Sequence, residues 1–369
     1  MKILSLTVSG FRNLGGFDFK PQSGVNIIHG LNAQGKTNLL EAIWLFTGAK
    51  SFRAGIARDF IKRDEDFCSL DISFEAGGRE QSATLRYSAD KRVVELNGIK
   101  KDRPSLMAGA FCAVVFSPDH MSLVKYGPEF RRQMIDSSLC QAYPKYMVAT
   151  ENYNRALKQR NTLLKDIPHH SSLIDMLDVW DKHIADYGGY ITAIRAGYIK
   201  LLAERAQNIY TGISEGREQL SISYAPGFDG YESSFKLSDC RLALAKEIET
   251  TRKDDLKSGS TGAGPHRDDL EIEIDRLSAR RYGSQGQQRS CILALKLAEN
   301  EILELRHGEP PVIMLDDVMS ELDERRRAYL LNHLEGRQII ITCCDSSSFS
   351  GMRSGGVFLM NNGDLTDSE

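Results

Sequence analysis

The feature that most constrains this chain is an eight-residue stretch at positions 30–37, which reads Gly-Leu-Asn-Ala-Gln-Gly-Lys-Thr. An apolar run at 25–28 precedes it, and an amphipathic pattern at 38–43 follows it. This order of strand, turn and helix is the context that the pattern G-x-x-x-x-G-K-S/T needs to form a P-loop. The alternative is a chance match in a glycine-rich turn, which explains neither the strand nor the helix.

A P-loop predicts a site for nucleotide phosphates. Glycines let the backbone turn its N–H groups inward around phosphate oxygens, and the helix that follows points the positive end of its dipole at the same place. Lys36 is expected to reach the β- and γ-phosphates, and the Thr37 hydroxyl is expected to bind Mg²⁺. The residues expected to bind ATP here are Gly30, Leu31, Asn32, Ala33, Gln34, Gly35, Lys36, Thr37 and Asn38.

Composition sets the broad class of protein. A chain of 369 residues with 41% hydrophobic residues has enough material for one large domain or two ordinary ones. The net charge of -3 excludes a globally cationic nucleic-acid binder and leaves local basic patches open. Seven cysteines without C-x-x-C spacing favour a reducing compartment, and no apolar run is long enough to span a membrane. We therefore expect a cytoplasmic protein with no membrane partner.

Periodicity divides the chain into parts at 1–118, 119–257 and 258–369. Short strands are predicted around the P-loop, at 2–8, 68–74 and 80–88 among others, with a hairpin turn at Asn97 and Gly98. A helical period begins at residue 119, with a small β excursion at 219–224. Apolar residues at 177–201 recur at spacings of three and four, which favours the core of a helix pair over a dimerising coiled coil. Gly188 and Gly189 interrupt this seam and predict a bend or hinge. The polar stretch 253–264 predicts a linker or mobile loop.

A second group of residues lies about 280 positions after the P-loop. Four apolar residues at 312–315 precede Asp316 and Asp317, the form of a Walker B element. Asp316 is expected to hold Mg²⁺, and Asp317 stands where a base or water-positioning carboxylate is needed. The alternative is an ordinary strand-to-helix cap, since Asp is common at that place.

Further motifs narrow the class of ATPase. Ser284, Gly286 and Gln287 stand directly before a predicted helix and form a second anion site. The run 320–323 has the spacing of an ABC-type D-loop, and Thr342 ends the next strand, where such ATPases place a switch residue. The serine-glycine stretch at 284–288 corresponds to the signature of an ABC-type head. In such a head the signature cannot reach the nucleotide of its own P-loop. It completes the site of a second subunit, so ATP is expected to join two copies.

Together these motifs resemble the RecF family of bacterial recombination and repair ATPases, which is related to SMC heads. The matching stretches cover nearly the whole chain and are Phe11-Arg12-Asn13-Leu14, the P-loop, Lys50-Ser51-Phe52-Arg53, Phe116-Ser117-Pro118, Arg131-Arg132, Gly264-Pro265-His266-Arg267-Asp268-Asp269, Ser284-Gln285-Gly286-Gln287-Gln288-Arg289, Leu315-Asp316-Asp317-Val318 and Ser320-Glu321-Leu322-Asp323. The Walker motifs are shared by many ATPases. The Gly-Pro-His-Arg-Asp-Asp run and the signature with paired glutamines are more specific.

The resemblance implies an α/β fold, an ABC-type (SMC-like) P-loop ATPase head with mixed β-sheets and an inserted, mainly helical arm or lid domain. It implies an ATP-dependent homodimer that binds single-stranded DNA and single-strand/double-strand junctions. It also implies support of recombinase loading at gaps and stalled forks with RecR and RecO, SOS induction, and weak, DNA-dependent ATP hydrolysis.

The resemblance also assigns roles to residues. Lys36 and Thr37 bind phosphates and Mg²⁺, Asp316 binds Mg²⁺, Asp317 supports hydrolysis, and Ser284 with Gly286 contacts the partner's γ-phosphate. An arginine equivalent to Arg12 approaches nucleotide in related heads, although Arg12 equally fits an exposed turn, and no role is assigned to His266. Asp317 replaces the usual glutamate, and Thr342-Cys343 replaces the usual switch histidine. The shorter carboxylate predicts slow turnover.

Several basic groups are candidates for DNA contact, and each equally fits a solvated surface. They are Lys100 and Lys101 with Arg103, Arg131 with Arg132, the helical set Arg155, Lys158 and Arg160, and Arg280 with Arg281. The competing functions are an ATP-gated scaffold in which hydrolysis is incidental and a transporter ATPase subunit. A small-molecule kinase fits less well, because it leaves the signature and D-loop unexplained.

Overall fold

The computed structural model describes residues 1–53, 57–121, 123–229, 235–345 and 355–368. The strands in these ranges are β1 (Lys2–Ser9), β2 (Gly16–Phe19), β3 (Val25–His29), β4 (Phe67–Ala76), β5 (Arg79–Ser88), β6 (Arg92–Leu96), β7 (Ile99–Lys101), β8 (Ala113–Phe116), β9 (Leu220–Ala225), β10 (Asp269–Ile274), β11 (Leu277–Ser278), β12 (Val312–Asp316), β13 (Ile339–Cys343), β14 (Val357–Asn361) and β15 (Asp364–Asp367). The α-helices are α1 (Lys36–Trp44), α2 (Pro118–Met121), α3 (Pro128–Ala142), α4 (Pro144–Asp166), α5 (Leu177–Ser214), α6 (Leu237–Ser258), α7 (Ala279–Tyr282), α8 (Gln285–His307) and α9 (Glu324–His333). In these ranges no helix is both long and apolar enough to cross a membrane.

The sheet that carries the P-loop has the strand order β15-β14-β3-β13-β12-β8. Its strands β3, β13, β12 and β8 run parallel, and β14 joins them in parallel beside β3. Every residue of β12 and β13 is buried, as expected for continuous apolar runs within a parallel sheet. Because β3, β12 and β13 are parallel, the P-loop, Asp316 and Thr342 meet at one edge.

A second sheet, ordered β2-β1-β4-β5-β6-β7, is antiparallel throughout. The strands predicted at 2–8, 68–74 and 80–88 are confirmed, and the predicted turn at Asn97 and Gly98 has the positive φ angles of 52° and 73°. Helix α1 packs in one apolar core with residues of both sheets. The P-loop helix is therefore fixed between two rigid layers.

The helical arm contains α3 to α6, with α5 packed against α4, α6 and α8. Ile184, Ile191 and Tyr198 of the predicted seam are buried in a core built within the same chain, which confirms the helix-pair interpretation. The predicted β excursion is also confirmed as β9, which pairs with β10. That pairing crosses residue 257, and the three-part division of the chain stays a prediction.

The structure bears on two predictions about the arm. Helix α5 continues without a break through Gly188 and Gly189, and a bend there stays a prediction. A Cβ on Gly189 would lie 2.8 Å from the Arg241 backbone N of α6. The predicted loop at 253–264 is helical as far as Ser258, and the helix ends at Gly259 with φ 66°. A tertiary contact favours the helix at this place, since Asp255 is buried and pairs with Arg160 at 2.7 Å.

Candidate nucleotide-binding site

The backbone of the P-loop depends on two glycines. Gly30 and Gly35 have φ angles of 150° and 116°, a region that L side chains rarely adopt. A Cβ on Gly30 would lie 2.3 Å from the Met360 carbonyl oxygen, and one on Gly35 would lie 2.6 Å from Leu14 Cδ2. The loop is therefore pressed between its own neighbours and the hairpin of β14 and β15.

Sequence reasoning missed this hairpin. Its turn residue Gly363 donates a backbone hydrogen bond to the Gln34 carbonyl at 3.0 Å and accepts one from Gly15 N at 2.8 Å. The short run Val-Phe-Leu-Met followed by Asn-Asn-Gly at 357–363 is a strand and turn signal that could have revealed it. The hairpin supports the P-loop from the side opposite β13.

Lys36, Thr37 and Asp316 lie together at the edge of the sheet. The buried Lys36 ammonium donates to the carbonyls of Gly30 at 2.6 Å and Leu31 at 2.9 Å. Thr37 Oγ1 donates to Asp316 Oδ1 at 2.9 Å, and Thr342 Oγ1 donates to the same oxygen at 2.8 Å. Two motifs 279 residues apart in sequence thus share one hydrogen bond.

These groups have the chemistry that ATP and Mg²⁺ require. Burial raises the pKa of Asp316, and the hydrogen bonds from Thr342 and Thr37 oppose that rise, as does the Arg53 guanidinium. A hydroxyl beside a carboxylate offers the hard oxygen ligands that Mg²⁺ prefers. Within the described ranges, no group of three or more His, Cys, Asp or Glu could hold a metal by itself. Mg²⁺ at this edge would need phosphate and water oxygens as further ligands.

Asp317 has an unusual backbone for a residue with a side chain. Its φ angle is 52°, in the left-handed region. Its N–H donates to the Thr342 carbonyl at 3.2 Å and is 3.0 Å from Thr342 Oγ1, and its own carbonyl accepts from Ser320 Oγ at 2.7 Å. Thr342 therefore contacts both acids, which ties the switch position to the Walker B strand.

Arg12 is not a free turn residue. Its Nε and Nη2 donate to the two carboxylate oxygens of Glu41, at 2.8 and 2.6 Å, and Glu41 is fully buried in α1. Ser51 Oγ also donates to Glu41, at 2.6 Å, and Arg53 donates to Asn38 Oδ1 in the first turn of α1. The run 50–53 thus reaches the P-loop helix, which sequence reasoning did not foresee. A role of Arg12 in nucleotide binding stays a prediction.

The signature forms the N-terminus of α8 through reciprocal hydrogen bonds. Gln287 N donates to Ser284 Oγ at 3.2 Å, and Ser284 N donates to Gln287 Oε1 at 2.8 Å, a capping box. Gln287 Nε2 donates to Glu218 Oε1 at 2.9 Å, so both ends of this amide are engaged. The adjoining cleft of about 340 Å³ is lined by residues of the α5 end, α8 and α9.

With this geometry established, comparison with known proteins gives a consistent result. The family model described as RecF/RecN/SMC N terminal domain matches residues 2–365. The DNA replication and repair protein RecF of Acetivibrio thermocellus is 37% identical over 356 residues, 96% of each chain. The chain belongs to the RecF family. RecF of Clostridioides difficile is 35% identical and is covered over 99% of its length.

Solved structures agree with this RecF assignment. Structures of the recombination mediator protein RecF with ATP and with ATPrS, in the RecFOR pathway, superpose with a TM-score of 0.92 at 35% identity. Each comparison covers 100% of this chain and 98% of the other. An SMC head bound to the C-winged helix domain of ScpA has a TM-score of 0.55 at 15% identity, which shows the shared fold alone. The predicted ABC-type, SMC-like head with a helical arm is confirmed.

Two arginines proposed for DNA contact in this RecF-family chain are instead buried. Arg160 has no exposed surface and pairs with Asp181 at 2.5 Å and Asp255 at 2.7 Å. Arg131 pairs with Asp269 at 2.6 Å. They lie in the interior because carboxylates distant in sequence compensate their charges. The exposed members of the predicted basic groups are Lys100, Arg155, Lys158, Arg280 and Arg281.

The Gly-Pro-His-Arg-Asp-Asp run at 264–269 makes buried contacts with the arm. Asp268 is buried and accepts from Arg195 Nη1 at 2.6 Å, and His266 Nε2 lies 3.1 Å from the Thr261 carbonyl. Because a carbonyl only accepts, Nε2 carries the proton, and Nδ1 accepts from the Tyr153 hydroxyl at 2.6 Å. Burial lowers the pKa of His266 to about 4, so the ring is neutral near pH 7.

Proposed function

We propose that this chain is an ATP-binding protein of DNA replication and repair. It acts as an ATP-dependent homodimer on single-stranded DNA and at single-strand/double-strand junctions. With RecR- and RecO-type partners it supports recombinase loading at gaps and stalled forks and contributes to SOS induction. Relatives at 35–37% identity carry the name DNA replication and repair protein RecF, and the similar solved structures are of RecF with ATP in the RecFOR pathway.

The proposal of a dimer rests on the division of the nucleotide site into two halves. Lys36, Thr37 and Asp316 form one half at the sheet edge, whereas Ser284 contacts Gln287 in a cleft beside α5 and α9. Each half offers groups suited to phosphate, and neither is complete alone. Two copies facing each other would join the P-loop of one to the signature of the other.

The chain's own residues then have distinct tasks. Lys36 and the P-loop N–H groups bind the phosphates, while Thr37 and Asp316 supply oxygen ligands. Bound Mg²⁺ would neutralise charge that develops on the phosphates. Asp317 accepts a proton from the attacking water, and its short side chain makes hydrolysis slow. The resulting ATPase is weak and DNA-dependent, and its ATP-bound dimer persists long enough to hold DNA.

Sedimentation of the purified chain tests the dimer. With ATP and Mg²⁺ we expect a shift from monomer to dimer, and Lys36→Ala should remain monomeric at the same protein concentration. Addition of DNA should strengthen the shift. An unchanged sedimentation coefficient with ATP and DNA would refute the role of Ser284 in a second subunit.

The salt dependence of DNA binding tests the arm surface. Arg155 and Lys158 are exposed on α4. Replacing both with Glu reverses their charge and should reduce the magnitude of the negative slope of log K against log salt by about two. Lys91→Glu makes the same kind of change on the exposed β5–β6 turn and serves as the control. If the arm variant keeps the wild-type slope, α4 is not part of the DNA surface.

A further inference from the structure

Glu218 connects the arm to the signature through its two carboxylate oxygens. It lies in the turn between α5 and β9 and is partly buried. Its Oε1 accepts from Gln287 Nε2 at 2.9 Å, and its Oε2 accepts from the Tyr210 hydroxyl at 2.6 Å. Tyr210 is fully buried near the end of α5. One carboxylate therefore bridges the base of the longest arm helix and the first turn of α8.

The bridge fixes the orientation of the Gln287 amide. An amide has one acceptor end and one donor end, and the donor end here faces Glu218. The acceptor end is then directed to Ser284 N, at 2.8 Å, which closes the capping box. Without a carboxylate at 218 the donor end loses its charged partner, and the amide is free to turn away from Ser284. The position of the Ser284 hydroxyl depends on this chain of contacts.

Helix α9 provides a second connection between the same two elements. Arg325 Nη2 donates to the Ile213 carbonyl of α5 at 2.8 Å, and the adjacent Arg326 Nη2 donates to the Gly286 carbonyl at 3.0 Å. Arg326 also pairs with Asp323 of the D-loop. The first turn of α8 is thus held from the arm side and from the D-loop side at once.

The length of α5 makes this connection mechanically useful. The helix has 38 residues, so it extends about 57 Å, at about 1.5 Å per residue. A rigid helix transmits a displacement of its far end to its base, where Tyr210 and Glu218 lie. We propose that Glu218 is a positioning residue that couples the placement of the arm to the placement of Ser284. This inference rests on the proposed ATP-dependent dimer, because Ser284 acts there on the partner's nucleotide.

Variants at position 218 test the coupling. Glu218→Ala should bind a fluorescent ATP analogue with wild-type affinity, because the P-loop half is intact, while ATP-dependent dimerisation weakens by about tenfold. DNA should no longer stimulate its ATP hydrolysis. Glu218→Gln retains an oxygen for Gln287 and should restore most of the dimerisation. Glu249→Ala, at an exposed position on α6, is the matched control and should behave as wild type.

A double-mutant cycle with Gln287→Ala separates coupling from general damage. If Glu218 acts through Gln287, the double variant should dimerise no worse than Gln287→Ala alone. Additive losses would overturn the proposal, and so would dimerisation of Glu218→Ala equal to that of wild type. Should Glu218→Ala fail to fold by circular dichroism, Tyr210→Phe removes the arm-side hydrogen bond and should reduce DNA stimulation, whereas full stimulation would overturn the proposal.

Failure of the proposed function gives a different result from failure of this inference. If the wild-type chain itself stays monomeric with ATP and DNA, the dimer is refuted and Glu218 has no partner site to serve. If wild type dimerises and Glu218→Ala dimerises equally well, the dimer stands and the coupling is refuted.

Discussion

Asp317, the residue proposed to support hydrolysis, has a constrained backbone. A left-handed φ in a residue other than glycine costs about 1 kcal/mol. The Asp317 N–H, shared between the Thr342 carbonyl and Thr342 Oγ1, helps to offset that cost. The strands β12 and β13 beside it are buried along their whole length, so a shift of the backbone at 317 would disturb packed strands. In the proposed mechanism, this short side chain is the reason that hydrolysis is slow.

Asp317→Asn isolates the contribution of the carboxylate. Asparagine tolerates the left-handed conformation, so the fold should be unchanged. We expect kcat for ATP hydrolysis to fall by about 10² to 10⁴, the usual contribution of a general base, with ATP affinity retained. Phosphate release measures kcat, and binding of a fluorescent ATP analogue measures the affinity. A wild-type kcat would exclude Asp317 as the base, and repair that persists without hydrolysis would favour the ATP-gated scaffold.

His266 predicts how stability depends on pH. Its folded-state pKa is lowered to about 4, chiefly by burial, against 6.5 for the unfolded chain. Between these values the unfolded state binds the extra proton, so this contribution to stability is complete above pH 6.5 and is lost as pH falls. At pH 5.5 the loss is about 1 kcal/mol. Urea unfolding at pH 7.5 and 5.5 should show a smaller pH effect in His266→Gln; an equal effect in both proteins would contradict the assignment.

At the scale of elements, α5 shows how packing overrides local preference. Gly188 and Gly189 cost helix stability by themselves, yet the helix continues because α6 and its neighbours approach within contact distance. The third glycine of the helix, Gly197, is exposed, and an added Cβ there would meet only open space. Identical residues in one helix therefore lie in opposite environments.

Alanine substitutions distinguish these two environments. Gly189→Ala should destabilise the protein by about 1–3 kcal/mol, because the new Cβ would lie 2.8 Å from backbone atoms of Arg241. Gly197→Ala is the matched control and should stabilise it by about 0.5–1 kcal/mol through higher helix propensity. Urea denaturation measures both free energies of unfolding. A stabilising Gly189→Ala would mean that α5 and α6 separate readily.

At the scale of the whole molecule, the proposed dimer would share each nucleotide site between two copies. The P-loop half is built by parallel strands and supported by a C-terminal hairpin, while the signature half is built by α8 and held by the arm and α9. Both halves belong to every copy, so a homodimer would contain two composite sites related by a two-fold axis.

Mixing two defective variants tests this arrangement. Lys36→Ala removes the P-loop cation and Ser284→Arg blocks the signature, so each variant alone should be inactive. Because neither variant completes a site with its own copies, the dimers in an equal mixture should be mixed. Each mixed dimer has one intact site out of two, so the mixture should recover up to about half of wild-type hydrolysis. Phosphate release at constant total protein is the measurement. No recovery, together with confirmed mixed dimers, would show that the site is not shared in this way.

The sequence by itself determined the elements whose signals are local. The P-loop, the Walker B strand and the hairpin turn at Asn97 and Gly98 are recognisable because a few adjacent residues specify a backbone shape or a buried strand. The apolar repeat at 177–201 in α5 is an equally local signal, since its spacing of three and four residues follows from helix geometry. The arrangement of motifs along the chain indicated the family before any contact was known.

Only the tertiary structure decided which of these residues meet. Arg160 looks like a surface cation in sequence, and it is buried because Asp181 and Asp255 compensate its charge. The bridge from Glu218 to Gln287 joins residues 69 positions apart, and no local pattern encodes it. Burial and pairing depend on neighbours brought together by folding, whereas periodicity reports only what lies within a few residues.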